Sequence, residues 1–190
     1  MPHSDTRLWH PFADMNAVRS SELTIVSGEG AHVTDDEGRR YLDGTASLWN
    51  VNVGHGRREL ADAAAEQMRQ LATYSCFGSF ANRPALELAE RLCALAPVDG
   101  ARVFLTSGGG DSIDTAAKLA RRYFAAIGQP ERVHLISRSQ GYHGTHGLGT
   151  SIGGIAASTE TFARVLEAAV RRIDEPALAP AGIVYRFHSD

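Results

Sequence analysis

Between Arg102 and Ser137 the chain sets two short apolar runs on either side of a long amphipathic segment, and few architectures accommodate that order. Arg102-Val103-Phe104-Leu105-Thr106 has the character of a strand, and Ser107-Gly108-Gly109-Gly110-Asp111 interrupts it. Ile113, Ala116, Ala117, Ala120, Phe124 and Ile127 then recur on one face at helical spacing. Gly128-Gln129-Pro130 stops the helix, and Val133-His134-Leu135-Ile136-Ser137 follows as a second strand. Two strands joined through a helix run parallel, because the crossover returns the chain to the end from which it left. The expectation is an α/β domain holding a partial parallel sheet flanked by helices.

The flanking sequence adds smaller pieces. Residues 1–20 show no periodicity but carry Trp9, Pro11 and Phe12, so they are expected to form an arm that packs on something else. Leu23–Val26, Ala31–Val33 and Arg40–Leu42 are short runs broken at Gly28, Gly30 and Gly38, the pattern of a small antiparallel meander. Residues 1–56 are therefore assigned to arm and meander, and residues 57–190 to the larger domain. Leu60, Ala64, Met68 and Leu71 predict one helix; Asn82-Arg83-Pro84 opens another, with Leu88, Leu92 and Leu95 in a stripe ending before Pro97. Residues 145–154 are expected to be a loop or a short irregular helix. A helix is expected over 160–173 and a strand over 181–187.

Composition excludes several classes. A formal net charge of −3 supplies no field for nucleic acid or an anionic membrane. Residues 1–12 lack a basic start and an apolar run, and no stretch approaches the roughly 20 apolar residues of a membrane span. These features point to a cytoplasmic protein. Cys76 and Cys93 have no paired metal-ligand spacing and are expected to be reduced and buried. One count bears directly on chemistry: Lys118 is the single lysine in the chain.

Two segments carry candidate chemistry. Three glycines after a strand let the backbone approach a ligand closely, and the following helix aims its free N–H groups and positive dipole end at the turn. Such a turn is either a phosphate cradle or a plain Gly-rich connection. It is not a dinucleotide fingerprint, since Ile113 stands where the third glycine belongs, and no Gly-Lys-Ser/Thr follows it. The second segment, Gly141-Tyr142-His143-Gly144, either stacks an aromatic on a planar ring or serves the loop structurally. His143 and His146 lack an acidic or thiol partner in sequence, so no metal is expected.

Taken in order, four segments resemble the class III aminotransferases, including the ω-amino-acid:pyruvate type. They are Trp9-His10-Pro11-Phe12; Tyr41-Leu42-Asp43-Gly44 with Leu48-Trp49-Asn50-Val51-Asn52 and Gly54-His55-Gly56; Phe104 to Asp114 with Lys118-Leu119-Ala120-Arg121; and Gly141 to Gly144. The resemblance covers residues 8–154 and implies the fold-type I architecture of pyridoxal-phosphate-dependent transferases. It implies that Gly109 and Gly110 hold the cofactor phosphate through backbone N–H groups, and that Tyr142 and His143 belong to the loop holding the cofactor ring, with Tyr142 stacked on it. Leu48 and Trp49 would line a pocket for amines or ω-amino acids, with a 2-oxo acid such as pyruvate as acceptor. The family usually has serine where this chain has Gly110. Asp111 and Asp114 match acidic positions at the helix start, and compensation of the helix dipole is the expected role of Asp114.

The resemblance also implies absences. Lys118 matches a lysine within the family's helix and not the Schiff-base lysine, so no catalytic residue is assigned, and the large domain is expected to be incomplete, with an open sheet edge and an uncovered apolar face. Transamination by this chain alone is not expected; the alternative is a non-catalytic protein that binds the cofactor or phosphate, or serves as a dimer partner. A homodimer is implied for the full-length family form, with no nucleic-acid or membrane partner.

Overall fold

The computed structural model describes residues 6–156 and, for the backbone, residues 170–173. The first element is a helix, α1 (Met15–Ser21), inside the stretch expected to be irregular. Its signal is local: the Asp14 side chain accepts the Asn16 N–H at 2.9 Å and so caps the first turn. Seven residues are too few to display a helical period.

The meander forms as expected. β1 (Ile25–Glu29), β2 (His32–Asp35) and β3 (Arg40–Leu42) pair antiparallel in sequence order, with Glu29 opposite His32 and Val33 opposite Tyr41. The β2–β3 turn is built on Asp35, which is 1% exposed. Its carboxylate accepts the N–H groups of Glu37 and Arg39 at 3.1 and 2.7 Å, Arg39 Nε at 2.7 Å and the Tyr41 hydroxyl at 2.8 Å. Burial pushes the Asp35 pKa up, but these donors together outweigh it and hold the group at about 2.

After the meander, α2 (Ala46–Trp49) is a single turn, followed by α3 (Arg58–Leu71) and α4 (Arg83–Leu95). Asn82 Oδ1 accepts the Ala85 N–H at 3.0 Å, the cap expected from Asn82-Arg83-Pro84. Neither α3 nor α4 buries a residue: Met68 is 65% and Leu95 82% exposed, so their apolar stripes are uncovered among the described residues.

The later elements are α5 (Gly109–Ala126), β4 (Leu135–Arg138), α6 (Gly147–Ile152) and β5 (Val170–Ile173). β4 and β5 run parallel, with Leu135 opposite Val170 and Arg138 opposite Ile173. Two expectations are corrected here. Residues 170–173, expected to be helical, form β5, where pairing with β4 overrides helical spacing in a segment containing β-branched Val170 and Ile173. Residues 102–106 are not a strand: no described segment supplies a ladder partner, and Phe104 is 71% exposed. The rest of the 160–173 helix and the strand expected over 181–187 lie outside the described residues.

The chain divides into two units, Met1–Leu86 and Glu87–Asp190. The buried apolar residues described are Ala117 and Ile152, both in the second. Both cysteines are free; Cys93 donates to the Ala101 carbonyl at 3.2 Å, whereas Cys76 is exposed, contrary to expectation. No described helix is long and apolar enough to cross a membrane.

Candidate functional site

The second unit brings the glycine turn and the Tyr142 loop together. α5 begins after Gly108 with no side-chain cap, and its first internal bond is Ser112 N–H to the Gly108 carbonyl at 3.0 Å. The N–H groups of Gly109, Gly110 and Asp111 therefore have no acceptor inside the helix. A Cβ on Gly109 would meet nothing within 4 Å, so the space beside Gly109 is open. Thr106 and Ser112 share a 2.5 Å hydroxyl–hydroxyl contact beneath the turn, and the Ser107 hydroxyl bonds to Asp111.

Gly141–Gly144 folds directly against that turn. Gly144 has φ +96°, and a Cβ there would lie 2.6 Å from the Gly110 Cα, so glycine is required on both counts. The ring of His146 occupies the space beside Gly110, 3.2 Å from where a Cβ would stand. Its Nδ1 lies 3.2 Å from Asp111 Oδ1. Gly110 and His146 are thus accommodated together: a serine at 110 would crowd the ring. Asp114 is not merely set against the helix dipole as expected. It is the sixth residue of α5, past the first turn where the dipole acts, and its Oδ1 accepts the Gly149 N–H of α6 at 2.8 Å. Tyr142 is 56% exposed on this loop. His143 is half-buried, with its ring near Gly141 and its carbonyl against Gly149. Lys118 is exposed on α5.

Leu48 and Trp49 lie in the first unit, on α2, and are 77% and 73% exposed. The backbone beneath them is unusual. Ala46, Ser47, Leu48 and Trp49 have φ of 48°, 51°, 63° and 74°, a left-handed turn made without glycine. Side chains in this region crowd the following carbonyl at about 1–2 kcal/mol per residue, so the turn persists only where its surroundings over-determine it. Trp49 N–H bonds to the Thr45 carbonyl at 2.8 Å and Asn50 N–H to the Ala46 carbonyl at 3.0 Å. From below, Asp43 Oδ2 accepts the Ser47 N–H at 2.8 Å and a hydrogen bond from His55 Nε2 at 2.8 Å. The His55 hydrogen bond first, then the Ser47 N–H, lowers the Asp43 pKa.

Sequence reasoning passed over Asp43, His55 and His146 as individual actors. Asp43 and His55 were visible only as members of a motif, and nothing local shows that residues twelve apart share a hydrogen bond. The spacing of His143 and His146 offers His146 only as a candidate metal ligand.

Known proteins are similar to this chain over most of its length. The sequence model for aminotransferase class-III matches residues 15–177. A putrescine–pyruvate aminotransferase of Pseudomonas aeruginosa is 40% identical over 151 residues, covering 79% of this chain and 33% of that protein. A β-alanine–pyruvate aminotransferase of the same organism is 36% identical over 159 residues, 84% of this chain and 35% of that protein. The chain thus spans about a third of the length of these curated relatives. A crystal structure of an amine transaminase from an uncultivated Pseudomonas species, in its PLP-bound form, superposes with a TM-score of 0.86 at 40% identity, covering 90% of this chain and 39% of that one.

Proposed function

The chain belongs to the class-III aminotransferase family, and on that premise we propose that it contributes the phosphate-holding part of a pyridoxal-phosphate-dependent aminotransferase. The fold is that of the fold-type I transferases. The reaction proposed moves an amino group from an amine or ω-amino acid to a 2-oxo acid such as pyruvate, and the partner proposed is a second copy in a homodimer.

One observation carries the reading: α5 opens uncapped onto clear space at Gly109, with Gly144 pressed on Gly110. A phosphate fits that donor set, because consecutive N–H groups and the helix dipole both favour an anion there. Gly109 and Gly110 donate backbone N–H groups to it, with no serine hydroxyl at 110. Tyr142 offers an exposed ring face for stacking on the pyridine, and His143 shapes the loop that carries it. Leu48 and Trp49 present an apolar wall to the substrate. When bound, the cofactor supplies the electron sink that stabilises the substrate carbanion.

The protein's part in that chemistry includes an amine that anchors the cofactor and moves the proton. Lys118, the only lysine, is exposed within α5 and beyond the phosphate turn. These 190 residues by themselves are therefore proposed not to transaminate. The test is a titration of the chain with pyridoxal phosphate, then borohydride reduction and peptide mapping. Saturable binding that is lost in Gly144→Ala, with no rapid stoichiometric labelling at Lys118, is expected. Binding unaffected by Gly144→Ala would overturn the cradle, and fast, complete labelling of Lys118 would overturn the assignment of inactivity.

A further inference from the structure

The left-handed turn at α2 displays two large apolar side chains to solvent while its backbone is held from beneath. We infer that Asp43, tethered by His55, is the positioning residue that holds Leu48 and Trp49 in that turn. This rests on the reading of those two side chains as the substrate wall, and extends it to what decides their placement.

The turn's own hydrogen bonds do not account for its hand, since equivalent bonds form in a right-handed turn at lower strain. What differs is the anchor. Asp43 Oδ2 accepts the Ser47 N–H at 2.8 Å, and Oδ1 lies 3.3 Å from the Thr45 hydroxyl. Those bonds seize the entry to the turn. Asp43 is itself held on two sides. Its N–H bonds to the Ala31 carbonyl at 2.9 Å, at the β1–β2 hairpin, and its carboxylate takes the His55 Nε2 hydrogen bond at 2.8 Å.

His55 is in turn locked to the same hairpin. Its N–H and carbonyl exchange hydrogen bonds with Gly30 at 2.8 and 3.1 Å, and its ring fills the space over Gly28, 2.7 Å from where a Cβ would stand. The Asp43 side chain is 10% exposed and that of His55 21%, so water competes weakly for the contact. Leu48 and Trp49 contribute nothing to this anchorage. A strained backbone held by a largely buried Asp43–His55 hydrogen bond, with its two largest side chains left exposed, is arranged for presentation and not for packing.

Backbone hydrogen exchange across 46–51 in the full 190-residue chain reads the turn directly. Asp43→Ala is expected to accelerate exchange there by about tenfold, a local opening, while the paired N–H groups of β1 and β2 keep their protection. Asp43→Asn should restore most of it, since its carbonyl oxygen in the place of Oδ2 accepts both the Ser47 N–H and the His55 Nε2–H. His55→Gln supplies a second route, with an intermediate acceleration. Trp49 emission in a Trp9→Phe background, titrated with 1-phenylethylamine, reports the wall. A saturable response that weakens in Asp43→Ala and returns in Asp43→Asn supports the inference. Unchanged exchange at 46–51 in Asp43→Ala, or equal acceleration throughout the meander, would overturn it. Accelerated exchange without any amine response would retain the positioning role of Asp43 and remove the substrate wall.

Discussion

Two aspartates eight positions apart organise the turns on either side of β3, and they do so under opposite conditions. Asp35 is fully enclosed, collects four donors and closes a turn whose one positive-φ residue is Gly38, at +81°. Asp43 is slightly open, shares a histidine and holds a turn in which four consecutive non-glycine residues are left-handed. The first turn places glycine where the backbone needs it and is built for stability. The second omits glycine and keeps the strain, as turns do when the side chains they carry matter more than their energy.

The comparison breaks most visibly at Asp35. Asp35→Ala leaves the Glu37 and Arg39 N–H groups, the Arg39 guanidinium and the Tyr41 hydroxyl without their acceptor. The thermal midpoint should fall on the order of 10 °C. Asp43→Ala should lower it less, because Asp43 accepts one close hydrogen bond from a backbone N–H, one from His55 and a longer one from Thr45, against the four that Asp35 accepts. Equal losses would dissolve the distinction.

Acid sharpens it next. The Asp35 pKa is lowered from 3.8 to about 2 in the folded chain, so the unfolded state binds the proton more readily. The stability contributed by Asp35 is fully present above 3.8 and is lost as pH falls through about 2. Unfolding midpoints measured across that window should decline for the wild-type chain, and Asp35→Asn should flatten part of the decline.

The smallest effect is a reversal of sign. Ser47→Gly relieves a left-handed residue without removing the N–H that Asp43 holds, and should stabilise the chain by about 0.5–1 kcal/mol. Gly38→Ala places a Cβ at positive φ with nothing within 4 Å to hinder it, so only backbone strain opposes it, and should destabilise by about 1 kcal/mol. Denaturant midpoints of the two variants check this, and the same sign for both would show that the turns are alike.

What was legible in advance follows from range. The meander, α3, α4 and α5 were readable because each rests on neighbours in sequence: a glycine at a turn, an asparagine cap, a stripe at helical spacing. The α1 cap was just as local but too short to carry a period. The 102–106 and 170–173 segments were misjudged because a strand exists only through its partner, and neither spacing nor propensity names one. In the candidate site, the glycine turn and the Tyr142 loop stand out by residue type, and the roles expected of Gly109, Gly110 and Tyr142 follow from the family resemblance, whereas the Gly144–Gly110 approach, the Asp114–Gly149 bond and the placement of His146 depend on loops folding back over a distance.

The sequence alone thus determined the meander, α3, α4 and α5, the family's motifs and the count of one lysine, all of which depend on residue identity and spacing along the chain. Tertiary structure decided which carboxylate holds which backbone, that Leu48 and Trp49 stand on a left-handed turn, and that β5 pairs with β4. Those outcomes belong to contacts that residue type and spacing do not name, from the Asp43–Ser47 bond four residues apart to the Asp43–His55 bond twelve apart and the β4–β5 ladder, each of which forms only where the fold brings its partners together.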